Sequence, residues 1–327
     1  MDFGLHLGTR GAASNPDNLL ALAQHADHLG LAYLGFSDHV VIARSIASRY
    51  PYNESGDWPG VSTGFCLEQI TCLTYAAAVT QRIRLLTSVT VLPHRPAILA
   101  AKMLTTADVL SKGRVTVGVG VGWMAEEMAA LGSPPYDKRG TASDEYIGAF
   151  RALWTEQAPA YNGEFVAVRD VLFEPKPVQK PHPPIWVGGE GAAARRRAGR
   201  LGDGWYPTIR NPKEPLDTPA AFAGALAEVR RNAEAAGRDP MALDIAMFAP
   251  GYSLGAPQKD REGLRLPFTG SAQAIAEDAH AYRAAGVNHI VIGLESNNLQ
   301  DYLDRVEGFA KEVMRLVGAD TTASPPS

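Results

Sequence analysis

Leu31-Ala-Tyr-Leu-Gly-Phe36 is a short apolar run that stops abruptly on Ser37-Asp38-His39. Strands buried on both faces read as nearly continuous apolar runs. A charged residue beside an imidazole at the end of such a strand is how a barrel enzyme places chemistry at the open end of its sheet. Histidine is also the side chain that most readily gains or loses a proton near neutral pH. The pair reads equally as a helix N-cap Asp followed by a surface His, so these residues alone leave both readings open.

Outward from this run the same pattern repeats. Apolar strands are predicted over residues 3–7, 32–36, 83–91, 114–119, 185–187, 204–206, 243–248 and 289–292. Helices are predicted between and after them, over 16–29, 65–79, 96–110, 144–154, 192–200, 219–236, 272–285 and 299–317. Pro16 and Pro96 open their helices at first positions, where a missing N–H costs nothing. Leu299, Leu303, Val306, Ala310, Val313 and Val317 form an apolar stripe at spacings of three and four, the mark of a helix lying on a sheet. Eight strand–helix units most economically close into a (β/α)8 TIM barrel. Two stretches remain as insertions, 43–64 after the second strand and 250–270 after the seventh, both placed over the C-terminal face. No linker divides the chain, which reads as one domain over 1–317 with a small, polar, Pro-rich and disordered tail at 318–327.

The chain has 327 residues, 46% hydrophobic and 20% charged, with a formal net charge of -4. No basic stripe calls for nucleic acid; Arg195-Arg196-Arg197 with Arg200 reads as a solvated face or the counter-charge of one phosphate. No apolar run approaches the ~20 residues of a membrane span, and the N-terminus has no leader pattern. Two cysteines, Cys66 and Cys72, match no zinc spacing and suit a reducing, cytoplasmic setting. His25-x-x-His28 lacks a third ligand and reads as a solvated helix face.

Two glycine-rich strand ends carry further chemistry. Gly118-Val-Gly-Val-Gly-Trp123 lets a backbone approach something flat or anionic, yet its G-x-G-x-G spacing departs from the dinucleotide fingerprint. Gly188-Gly189-Glu190-Gly191 opens a helix and offers free N–H groups at the positive end of its dipole, a phosphate cradle, or simply a tight turn. Together with Asp38-His39 they suit a planar phosphorylated cofactor lying across a barrel mouth.

These residues belong to a longer pattern: Leu92-Pro-His-Arg-Pro96, Asp108-Val-Leu-Ser-Lys-Gly-Arg114, Glu126-Glu127, Gly163-Glu-Phe165, Pro175-Lys-Pro-Val-Gln179, Pro181-His-Pro-Pro-Ile-Trp186 and Gly199-Arg-Leu-Gly-Asp-Gly-Trp205. In this the chain resembles, over residues 1–317, the luciferase-like monooxygenase superfamily and, within it, the oxidoreductases that use the deazaflavin coenzyme F420. The resemblance implies a (β/α)8 barrel, with His39 as the catalytic acid or base and Asp38 contacting the cofactor. It also implies a non-proline cis peptide at Ser88-Val89 backing the deazaflavin ring. Val121-Gly122 and Gly188-Gly189 would hold the cofactor's side chain and phosphate, with Gly191 in the same turn. It further implies a small-molecule substrate and, by family habit, a homodimer. One departure matters: Trp123 stands where a second catalytic Glu is expected, and Glu126 where Asn is usual. His39 then works without that Glu, or Glu126 or a loop residue contributes. An FMN-dependent monooxygenase of the same superfamily is the alternative, ahead of a non-catalytic cofactor-binding barrel and of a nicotinamide-dependent dehydrogenase.

Overall fold

The computed structural model describes residues 1–58 and 64–319; most of the 318–327 tail expectation lies outside them. Eight parallel strands form the central sheet: β1 (Asp2–His6), β2 (Tyr33–Phe36), β3 (Arg84–Thr87), β4 (Val115–Gly120), β5 (Ile185–Gly188), β6 (Gly204–Tyr206), β7 (Asp244–Ala249) and β8 (His289–Gly293). They are hydrogen-bonded in the order β3-β2-β1-β8-β7-β6-β5-β4, and β3 pairs with β4 to close the circle. Closure removes every sheet edge and makes the molecule a (β/α)8 barrel.

Around it lie α1 (Pro16–His28), α2 (Gln69–Val79), α3 (Ala97–Leu110), α4 (Ala125–Ala130), α5 (Arg139–Thr155), α6 (Ala192–Leu201), α7 (Pro219–Ala235), α8 (Ala272–Ala284) and α9 (Leu299–Gly308). Their starts are chemically marked. The Asn15 side chain accepts from the Asp17 and Asn18 amides ahead of α1, and Thr218, Ser271 and Asn298 cap α7, α8 and α9 in the same way. Each such cap is worth about 1 kcal/mol.

The strands bury both faces. Outward residues such as Leu34, Leu85, Val117, Val187 and Ile245 join the core beneath the helices. The interior holds Tyr33, Leu86, Trp186, Tyr206, Ala246 and Val291, a separate packed cluster. Trp154, Trp186 and Trp205 are fully buried, and a large apolar side chain so placed contributes about 1.5–3 kcal/mol.

Several boundaries differ from the sequence reading. α2 begins at Gln69 rather than Phe65, because Glu68 caps it by accepting from the Thr71 amide at 2.6 Å. α5 begins five residues earlier than expected, and α4 was not expected. The last helix is broken by a π-helical stretch, Phe309–Met314. The third strand is not one run over 83–91: it is interrupted at a cis Ser88–Val89 peptide and resumes as Thr90–Val91 against Val119 and Gly120.

That interruption explains the alternate glycines of β4. A Cβ on Gly118 would lie 2.1 Å from the Thr87 carbonyl oxygen, and one on Gly120 would lie 2.7 Å from Val89 Cγ2. A Cβ on Gly188 would come to 3.1 Å from Val89 Cγ1. The expectation that Gly118 and Gly120 admit a flat or anionic partner is thus corrected: their missing side chains make room for the neighbouring strand's bulge.

Candidate active site

The C-terminal ends of β2 and β4 meet at a histidine–carboxylate pair. His39 Nδ1 lies 2.7 Å from Glu127 Oε2. Glu127 is carried by α4, and its other oxygen accepts from the amides of Val40 and Val41 at 2.7 and 3.2 Å. Burial opposes the Glu127 charge, but the hydrogen bond from His39, the two imidazoles and the Val40 amide outweigh it and hold the carboxyl below its usual range. An ionised Glu127 at Nδ1 takes the Nδ1 proton in the hydrogen bond and leaves Nε2 as the acceptor.

Glu126, the residue offered by sequence, goes elsewhere: it accepts from the amides of Ala47 and Ser48 at 2.8 and 3.1 Å. It pins the first insertion to α4. The carboxylate that reaches His39 is its neighbour.

Asp38 is enclosed. Arg95 grips it with two hydrogen bonds of 2.9 and 2.8 Å, and the Val91 amide donates to it at 2.9 Å. Arg95 also reaches Glu68 at 2.5 Å. With both oxygens engaged and the side chain fully buried, Asp38 locks the β2 end to the chain after β3, and its backbone is what it can present to a ligand. Between the two carboxylates lies His94, buried, with ring nitrogens 3.9 Å from Asp38 and 4.0 Å from Glu127; burial lowers its pKa.

Aromatic residues roof His39. Trp58 of the first insertion lies 4.6 Å from the imidazole between ring centres, and Trp123 lies 6.3 Å away, edge-on. Trp58 and Trp123 touch each other, Tyr50 packs on Trp123 at 5.2 Å, and the Arg10 guanidinium sits over Trp58 at 4.4 Å. The insertion aromatics therefore pack onto the site rather than only on one another. Trp123 occupies the position of the missing second Glu as part of this roof.

The glycine segments converge on a narrow crevice beside the barrel end, lined by Gly120, Val121, Gly188, Leu92, Ser143 and Arg197 among others. The Ser143 hydroxyl is buried there with no hydrogen-bond partner among the described residues. Gly122 has φ +83, and its carbonyl accepts from Arg139 Nε at 3.1 Å. Gly189 has φ +105, and its carbonyl accepts from Trp205 Nε1 at 3.0 Å. Gly191 is the N-cap of α6, and a Cβ there would meet open space.

The arginine run divides its roles. Arg195 bonds the Glu190 carbonyl and the carboxylates of Glu214 and Glu228. Arg197 pairs with Asp144 and the Gly140 carbonyl and borders the cleft. Glu190 is buried and accepts from the Thr208 amide and Asn211 Nδ2, both at 2.8 Å; burial raises its pKa. Ser88 Oγ shares a 2.9 Å hydrogen bond with Tyr206 inside the barrel.

This architecture has known counterparts. The family model described as luciferase-like monooxygenase matches residues 1–300. The chain belongs to the luciferase-like monooxygenase family. An uncharacterized protein of Mycobacterium tuberculosis is 33% identical over 283 residues, covering 86% of this chain and 96% of that one. An FMNH2-dependent dimethylsulfone monooxygenase of Pseudomonas putida is 30% identical, covering 76% of this chain and 78% of that protein. Among solved structures, an F420-dependent secondary alcohol dehydrogenase in complex with an F420–acetone adduct superposes with a TM-score of 0.74 at 18% identity, covering 97% and 98% of the two chains. This last likeness is one of fold. Membership makes the chain an oxidoreductase of the luciferase-like type, with a flavin or deazaflavin as the plausible cofactor. Among the described residues no helix is long and apolar enough to cross a membrane.

Proposed function

We propose that this luciferase-like protein exchanges a hydride between coenzyme F420 and a small organic substrate, an activated C=C, C=O or C=N bond or an alcohol, with His39 as acid or base. The observation that carries the reading is the His39–Glu127 pair at the barrel mouth. A deazaflavin, when bound, supplies a carbon that gives or takes hydride. The chain's own part is to seat the ring, exclude water and move one proton.

The residues present fit such a group. The Ser88–Val89 bulge and Val121-Gly122 offer a surface at the ends of β3 and β4, with the Asp38 backbone alongside. Gly188, Gly189 and Gly191 offer an unobstructed backbone at the start of α6. The unpartnered Ser143 hydroxyl and the Arg197 guanidinium suit a phosphate beside them. Trp58 and Trp123 screen His39 from water, which strengthens each polar interaction beneath them.

A second reading, a reduced-FMN monooxygenase, draws support from the Pseudomonas relative. Fluorescence quenching of the apoprotein by F420 and by FMN separates the two. Tight FMN binding with no F420 binding overturns the deazaflavin reading. Turnover of reduced F420 with enones, imines, aldehydes and alcohols then names the substrate class.

A further inference from the structure

The mouth holds a second histidine–carboxylate pair that the sequence did not reveal. His6 closes β1, and its Nδ1 lies 2.7 Å from Oε1 of Glu295, which follows β8. Nδ1 meets a carboxylate at 2.7 Å in both pairs, with side-chain exposures of 12% for His6 and 13% for His39, although the Glu295 carboxylate is 48% exposed where that of Glu127 is 1%. Strand register places His6 opposite Gly35, so the two pairs rise from adjacent strand ends. Among the described residues neither Nε2 has a hydrogen-bond partner.

The pair is held in place. The Tyr302 hydroxyl donates to the His6 carbonyl at 3.0 Å, and the ring packs on Phe248 at 4.7 Å. Gly293 lets Glu295 fold back over the strand end, since a Cβ there would lie 3.0 Å from Glu295 Oε2. The His6 ring and, farther off, Arg10 keep the half-exposed Glu295 carboxyl below its usual range. Arg305 donates to the Glu295 backbone carbonyl and pairs with Asp301.

We propose that His6–Glu295 is a second acid–base pair of this mouth, acting at a heteroatom of the substrate distinct from the proton site served by His39. Nε2 of neutral His6 takes the proton of a substrate O–H or N–H, and the imidazolium so formed is stabilised by Glu295. The proton is later returned to the same substrate atom, so the pair and the substrate group both end as they began. The substrate class this fits is a small molecule with two exchangeable polar groups, such as a hydroxy-ketone or hydroxy-imine. The proposal rests on the mouth being the active site, but not on which cofactor is bound.

The test uses the full-length chain with 15N-labelled histidine, as wild type, Glu295→Gln and Glu127→Gln. In wild type the His6 ring should carry its neutral-state proton on Nδ1. Glu295→Gln should shift the balance of that proton between Nδ1 and Nε2 of His6 and leave the His39 ring as in wild type, with Glu127→Gln doing the reverse. The other charged or titratable groups near His6 and Glu295 are Arg10, Tyr50, Tyr206, Tyr302 and Arg305, none of which changes in these variants. In turnover, His6→Gln and His6→Asn should lower kcat about 100-fold with KM within a few-fold. Glu295→Gln should shift one limb of the pH profile to lower pH. A His6 tautomer indifferent to Glu295→Gln overturns the proposal, as does a folded His6→Gln protein with wild-type kcat and an unaltered pH profile. Loss of the F420 reading shows separately, as absent F420 quenching in wild type, and leaves the histidine tautomers readable.

Discussion

The two ends of the barrel carry the same chemical groups and use them differently. At the floor, His289 stacks on Trp186 with ring centres 5.1 Å apart and faces Asp2 across Nδ1 at 3.1 Å and Asp244 across Nε2 at 3.9 Å. At the mouth, His39 and His6 each meet one carboxylate, at Nδ1. Exposure does not separate them, since the His289 side chain is 14% exposed against 13% and 12%. The number of carboxylates does. Burial lowers the His289 pKa, but the two aspartates outweigh it and raise it. With an acceptor facing each nitrogen, His289 is held from both sides. With one nitrogen fixed and the other open, the mouth histidines are placed to move protons.

The largest expected effect lies at the mouth. His39→Ala should lower turnover by about 10²–10⁴-fold while cofactor quenching persists. Unaltered turnover would remove His39 as the proton-transfer residue and erase the distinction between the ends.

Next is the support beneath it. Arg95→Met leaves the Asp38 carboxylate buried with only the Val91 amide as a direct partner, and breaking a buried pair costs about 3–5 kcal/mol. Urea unfolding should show that loss; a change under 1 kcal/mol would mean that Asp38 is not held as an ion pair.

Gly120→Ala should cost about 1–3 kcal/mol, because its Cβ meets Val89. A Val89→Ala background should recover most of it. Without recovery, the glycine would owe its place to something other than the bulge.

The smallest effect lies at the floor. His289 has a folded pKa above its ordinary 6.5, so its stabilising contribution is complete below about pH 6.5 and is lost as pH rises through the raised value. Asp244→Asn removes one charge and keeps an acceptor for the Trp186 indole, which now donates to Asp244 at 3.0 Å. It should destabilise by roughly 0.5–1 kcal/mol at pH 6 and by less at pH 9, read as a difference in Tm. An equal difference at both values would show that His289 is not a cation.

Much of the family pattern legible in the sequence turns out to be scaffold. Asp108 accepts from the Val178 and Gln179 amides and from Gln179 Nε2, and Arg114 bonds the Ala77, Thr80 and Ile83 carbonyls. These residues tie loops together. Asp38 is of the same kind through its side chain. The site residue that sequence reasoning missed, Glu127, stood beside the one it weighed. Successive residues on a helix differ in direction by about 100°, so Glu126 and Glu127 necessarily diverge. Only the position of α4 says which one meets His39. A helix start predicted just after Trp123 would have been the signal.

The sequence by itself determined the eight alternating units, the barrel, the two insertions over its mouth and the Asp38-His39 strand end. Those follow from local periodicity and from apolar runs that must be buried on both faces. Tertiary structure alone decided the partners. His6 and Glu295 stand 289 positions apart and His39 and Glu127 stand 88 apart. Such pairs form because closure of the sheet brings β1 against β8 and the loop after β4 across the end of β2. No local pattern encodes which side chains then share a hydrogen bond.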